Sequence, residues 1–157
     1  MAINTIIISP WSQKLLNNNR NPKNYPYWNE LIEYFHKNNF NTIQIGLKDE
    51  EKTIAKQFLY NQTFEQIENL INNCCHWISV DNFLPHFINA TNKKPGTVIF
   101  SLSDPNLYGY PQNLNILKNT KYLRQFQFRW WHDEQFNQDA FELPHIVFDK
   151  IMNKLKN

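Results

Sequence analysis

The sequence predicts a single α/β domain built on a doubly wound parallel sheet. Three observations carry that expectation. Short runs of β-branched and aromatic residues, Ile6-Ile7-Ile8, Trp77-Ile78-Ser79-Val80 and Thr97-Val98-Ile99-Phe100, have the unbroken apolar character of strands buried on both faces. Amphipathic stretches at helical spacing lie between strands, first Trp28, Leu31, Ile32 and Phe35, then Phe64, Ile67, Leu70 and Ile71. Strand and helix alternate along the chain, which is the pattern of parallel crossovers. The expected strand order is 3-2-1-4-5, with a sixth strand at the edge and Ile6 to Ile8 central.

Each element follows from local chemistry. The first strand is expected from Ile3 to Ser9, and Ser9-Pro10-Trp11-Ser12 breaks it. Gln13 to Asn24 is polar, rich in Asn, and reads as a loop carrying Lys14, Arg20 and Lys23. Tyr25-Pro26-Tyr27 opens a helix that Asn38-Asn39 ends. Asn41 to Gly46 is the second strand, with Ile43 and Ile45 on one face. A turn through Asp49 and Glu50 leads to a short helix ending near Gln57, then to a brief third strand, Phe58-Leu59-Tyr60. Thr63-Phe64-Glu65-Gln66 is a capping box and starts a helix that reaches about Cys74. The fourth strand, Trp77 to Val80, precedes a helix from Leu84 to Ala90 whose Pro85 fits the first turn. Thr97 to Phe100 and Leu114 to Leu117 complete the strands. The last helix starts at Pro144 and is expected to bury Val147, Phe148, Ile151 and Leu155. Phe126-Gln127-Phe128-Arg129-Trp130-Trp131-His132 does not alternate cleanly and is read as core or interface rather than as a base-stacking surface.

Composition narrows the function. The chain has 157 residues, which suits one domain, residues 1–157, with one core. A hydrophobic share of 41% and an aromatic share of 15% indicate a folded protein. A net charge of +2 does not indicate nucleic acid. No apolar run approaches a membrane span, and the N-terminus lacks a signal-peptide pattern. The two cysteines, Cys74 and Cys75, are adjacent; they make neither a plausible disulfide nor a zinc site, so a reducing cytoplasm is expected, with no metal and no cofactor. The Asn excess reads as compositional bias.

The stretch with chemical content is Val80-Asp81-Asn82-Phe83-Leu84-Pro85-His86. It leaves a buried strand and enters a helix. Ligands in open parallel sheets bind beyond the carboxyl ends of the strands, and helix N-termini attract anions. Asp81, Asn82 and His86 therefore stand where a phosphate-bearing ligand would lie. The plainer reading makes Asp81 an N-cap and packs His86 on the sheet. Ser9, Trp11, Arg20, Lys23, Gly46, Leu47 and Glu50 fall at or just beyond strand ends on the same edge. Lys23, Arg20 and Lys14 would neutralise a diphosphate, or remain solvated loop charges. Glu50 or Asp49 would accept from ribose hydroxyls, or only favour the start of a helix.

Taken together, these motifs resemble the C-terminal, donor-binding lobe of family 9 glycosyltransferases, the ADP-heptose heptosyltransferases of lipopolysaccharide synthesis. The family's Lys-x-x-Pro before the first helix is matched by Lys23-Asn24-Tyr25-Pro26, and its strand-end Gly with a following acid by Gly46, Asp49 and Glu50. Its Val-Asp-Thr-Gly-x-x-His, then Ala, is matched by Val80-Asp81-Asn82-Phe83-Leu84-Pro85-His86, then Ala90. Lys94-Pro95, Phe100 through Pro105, and Tyr108-Gly109 follow in the family's order. Phe83 replaces a Gly that lets backbone approach a diphosphate, and Ser101-Leu102 replaces Gly-Pro.

The resemblance implies a Rossmann-like fold, one lobe of the glycosyltransferase B architecture. It also implies a nucleotide-diphosphate sugar as ligand, with Asp81 facing sugar hydroxyls, His86 near the phosphates, and Gly46 and Leu47 bordering the base. The family's other lobe supplies the acceptor side and the catalytic base, and these residues contain no counterpart of it. That implies a homo-oligomer or a separate acceptor-lobe protein. Asp81, His86 and Asp104 are the catalytic candidates, with His132 and Asp133 as spare bases. Two functions stay open, a glycosyltransferase and a non-catalytic nucleotide-binding protein acting as sensor, sponge or regulator.

Overall fold

The computed structural model describes residues 4–157. Six strands form one sheet, β1 (Thr5–Ser9), β2 (Asn41–Gly46), β3 (Gln57–Tyr60), β4 (His76–Val80), β5 (Thr97–Phe100) and β6 (Leu114–Leu117). Their order is β3-β2-β1-β4-β5-β6, as expected, and every neighbouring pair is parallel. Ile3, expected at the start of β1, lies outside the described residues.

Period-two alternation sorts β1 between two cores. Ile6 and Ile8 face α1 (Trp28–Lys37) and α5 (Pro144–Lys156), where Leu31, Ile32, Phe35, Val147 and Ile151 close over them. Ile7 faces the other way, toward α2 (Phe64–Asn73) and α3 (Phe83–Ala90), with Ile67, Ile71, Leu84 and Ile88. Both faces are covered, so the central strands need no polar residue on either side, which is why they read as continuous apolar runs. α4 (Pro105–Tyr108) is a single turn capped by Asp104. Phe148 and Leu155 of α5 are only partly buried, because α5 meets the sheet through Val147 and Ile151.

Three expectations about elements are corrected. No helix forms between Glu50 and Gln57. Buried Gln44 claims that segment instead: its Oε1 accepts from the Thr53 N–H and hydroxyl, both at 2.8 Å, and its Nε2 donates to the Glu51 carbonyl at 2.9 Å. These bonds hold the chain extended beside β2, and β3 starts one residue early. α1 begins at Trp28 rather than Tyr25, since the Tyr25 ring is wholly buried in the core and its hydroxyl donates to the Glu142 carbonyl. Of the two readings given for Phe126 to His132, core and interface, the core one fails: Phe128 and Trp130 are more than 80% exposed, at 84% and 82%.

Candidate functional site

All six strands are parallel, so Ser9, Gly46, Val80 and Phe100 end on one edge, and the loops there build the site. The Asp81 carboxylate is its centre. Asp81 is the first residue past β4 and is buried. Its Oδ2 accepts from the Ser103 hydroxyl at 2.9 Å and pairs with Lys23 Nζ at 3.2 Å. Its carbonyl accepts from the Ser12 hydroxyl at 2.8 Å and from Lys23 Nζ at 3.3 Å. Its Oδ1 faces His86 Nε2 at 3.7 Å. Burial alone pushes this carboxyl up; His86, Lys23 and Ser103 outweigh it and hold the group below the ordinary carboxylate value. Asp81 is therefore an anion at neutral pH with one cation locked against it.

The plainer sequence reading of this stretch is overturned in both halves. Asn82, not Asp81, caps α3, its side-chain oxygen accepting from the Leu84 N–H at 3.0 Å. The Asn82 amide also donates to Ser9 Oγ at 3.0 Å, to the Ser9 carbonyl at 3.1 Å and to the Trp11 carbonyl at 3.2 Å, tying the ends of β1 and β4 together. His86 is not packed on the sheet: its side chain is 45% exposed and points along the edge, where Nδ1 meets the Tyr110 hydroxyl at 2.8 Å. Helix α3 starts at Phe83, one residue early. Asn82 takes the Leu84 N–H and Pro85 has none, so this helix end offers an anion fewer amides than its position suggests. Phe83 is 45% exposed at its first residue.

The other expected residues divide. The bonds above join Ser9 to Asn82, and Lys23 and His86 to Asp81. Gly46 and Glu50 touch each other: the Glu50 carboxylate lies where a Cβ on Gly46 would sit, and it accepts from the Leu47 N–H at 3.1 Å. Burial pushes the Glu50 carboxyl up, opposed by the Leu47 N–H and by Lys14. Leu47 is exposed. The Trp11 indole donates to the Glu51 carbonyl at 2.7 Å, and the Arg20 guanidinium stacks 4.3 Å from the Phe136 ring centre. Asp104 caps α4 through the Asn106 N–H at 2.9 Å. His132 and Asp133 line a cleft of about 380 Å³ with Asn19, Arg20, Glu134, Gln135 and Phe136.

Sequence reasoning missed Ser12, Ser103, Tyr110 and Trp131. The hydroxyls carry no spacing signal, since they act through β-strand ends brought together only by the sheet. Tyr110 lies just past the matched Tyr108-Gly109. Trp131 is one of many aromatics in its segment, with no pattern to single it out; its ring centre lies 4.9 Å from Lys23 Nζ. Among the described residues no group of three or more His, Cys, Asp or Glu is placed to hold a metal ion, and no helix is long and apolar enough to cross a membrane.

The fold and the loop-built edge define a Rossmann-like α/β domain with a doubly wound parallel sheet. The chain is similar to heptosyltransferase II of E. coli, an ADP-heptose lipopolysaccharide enzyme, with a TM-score of 0.68 and 17% identity over 98% of this chain and 46% of that one. It is equally similar to TibC, a dodecameric, iron-containing glycosyltransferase of enterotoxigenic E. coli, with a TM-score of 0.69 and 15% identity over 99% of this chain and 47% of that one. A third match, TM-score 0.68 and 15% identity over 99% of this chain and 46% of that one, is TibC in complex with ADP-D-beta-D-heptose. The chain thus spans about half the length of these structures. No protein-family model matches the sequence, and no curated sequence does either.

Proposed function

We propose that this protein binds a nucleotide-diphosphate sugar at the carboxyl edge of the sheet and acts as a glycosyltransferase-like domain, completed by a second copy or a separate acceptor-lobe protein. One observation carries the reading: a buried carboxylate, Asp81, holds Lys23 beside an exposed His86 where strand ends and a helix start converge. An ammonium has three N–H donors. Two go to Asp81, its Oδ2 and its carbonyl, leaving one for a ligand phosphate. Departure of a nucleoside diphosphate develops negative charge, which a fixed cation stabilises. His86, bonded to Tyr110 on one nitrogen, keeps the other toward Asp81 Oδ1 and the open edge. Neither TibC's iron nor its dodecamer is carried over; its ADP-heptose complex supports the choice of ligand class.

A second reading, nucleotide binding without turnover, is favoured by Phe83, whose exposed ring stands at the helix start where the sequence resemblance implies a Gly. Titration calorimetry with ADP, GDP, UDP and ADP-heptose tests binding. Lys23→Ala should weaken the preferred diphosphate by roughly 1–3 kcal/mol, the range for a charge-assisted hydrogen bond. Unchanged affinity removes Lys23 from the site and the reading with it. Release of nucleoside diphosphate from the sugar donor separates the two functions: binding without release leaves the non-catalytic one.

A further inference from the structure

We propose that Trp131 is a positioning residue for Lys23, so that the loop between β6 and α5 completes the diphosphate site; this rests on the function proposed above. The Lys23 ammonium stands between two walls, the Asp81 carboxylate at 3.2 Å and the Trp131 ring, whose centre is 4.9 Å away. A cation over an indole face is attracted by the ring quadrupole, and the indole is the strongest such ring. The carboxylate alone would leave a flexible four-carbon stem free to turn; two walls restrict the direction of the N–H that Asp81 does not use.

Trp131 is itself held. The Arg124 guanidinium lies 4.1 Å from the same ring centre. Arg124 is buried, pairs through Nε with Glu134 at 3.1 Å, and donates from Nη2 to the carbonyls of Arg129 and Trp130 at 3.0 and 3.2 Å. These bonds fold the loop back on itself around Trp131. The loop is then fastened to the turn after β5: the Arg124 N–H donates to the Leu102 carbonyl at 3.0 Å, and the Gln127 amide to the same carbonyl at 2.9 Å. Gln127 Oε1 accepts from the Asp104 N–H at 3.0 Å. That same turn carries Ser103, which donates to Asp81. One turn therefore orients both walls of the Lys23 site. The neighbouring aromatics, Phe128 and Trp130, face solvent, so Trp131 alone of the three is turned inward to a charge.

The test uses the tightest binder among ADP, GDP and UDP, its nucleoside as control, and the full chain. Trp131→Leu should weaken the diphosphate about three- to tenfold and leave the nucleoside unchanged. Trp131→Phe, which keeps a ring face, should recover most of that loss. In a Lys23→Met background, Trp131→Leu should have no further effect. An unchanged diphosphate affinity in Trp131→Leu, an equal loss for the nucleoside, or full additivity with Lys23→Met overturns the assignment. A purely structural role for Trp131 would give those last two results. If Lys23→Met itself changes nothing, the functional reading fails first. Ligand-free NMR then decides the positioning claim: the Lys23 side-chain methylene protons should sit upfield of those of exposed lysines and lose that shift in Trp131→Leu. Ordinary Lys23 shifts overturn it.

Discussion

His76 opens β4 and Asp81 follows its end, and both make the fold sensitive to acid because both are held below their ordinary pKa values. His76 is buried and bonded to the Thr97 hydroxyl at 2.8 Å. Burial, with Lys154 and Lys94 nearby, lowers its pKa from 6.5 to about 4. Between those values the unfolded chain binds a proton that the folded chain refuses, so stability falls as pH drops from 6.5 toward 4. The loss is on the order of 3 kcal/mol when the window has been crossed. Asp81, held below its ordinary value of 3.8, adds a second loss that begins only near that pH. Urea unfolding at pH 7 and pH 5 checks this: His76→Gln should show a smaller drop between them than the native chain. Equal drops would place the acid sensitivity elsewhere. His76 precedes the expected start of the fourth strand, and nothing local marks it as buried; pairing of β4 with β5 brings Thr97 to it.

Helix α2 shows how much of an element is local. Its start was legible because a capping box is a four-residue pattern, and the structure has both reciprocal bonds, Thr63 with Gln66. Its end was not. Lys94, from the loop before β5, reaches the last turn and donates to the carbonyls of Ile71 at 2.8 Å and Cys74 at 2.6 Å. A cation on the orphan carbonyls of a helix end both bonds them and is attracted by the negative end of the dipole. Lys94→Met should cost about 1–2 kcal/mol by thermal or urea unfolding, and less than half of that would demote the contact to surface decoration. The Asn excess also gains a meaning at this scale. With three glycines in the chain, Asn18, Asn39 and Asn61 take left-handed turn positions, with φ of 59°, 63° and 48°. Asn82, Asn119 and Asn137 cap helical turns. What looked like compositional bias supplies turns and caps.

At the scale of the molecule, the proposed site lies at the carboxyl edge of a single sheet. Ligand sites bury most of their ligand between walls, and the exposed rings of Phe126, Phe128 and Trp130 stand on a loop that reaches this edge. Aromatic residues and Arg are enriched at interface centres. The expected outcome is self-association, most simply a two-fold dimer. Light scattering at micromolar concentration should give a mass above the 19.0 kDa of one chain, falling to it in a Phe128→Ser, Trp130→Ser double variant. A native chain that runs as a monomer with and without nucleotide sugar overturns the shared pocket and weighs against catalysis by this chain alone.

The strands and their order were legible because a sheet covered on both faces imposes unbroken apolar runs, and because right-handed crossovers leave few topologies. That Asp81 and His86 would meet at the carboxyl edge was legible because a strand end and a helix start lie within one short motif. Three things were decided only by tertiary structure. Gln44 stopped a helix from forming between Glu50 and Gln57, since a buried amide must be satisfied and took the loop's backbone groups. Asn82 rather than Asp81 became the cap, because Lys23 and Ser103, distant in sequence, claimed the carboxylate. Trp131 came to lie against Lys23 because Arg124 and Glu134 fold its loop back toward it. Periodicity records which side of an element is dry; it does not record which distant polar group will meet a given charge.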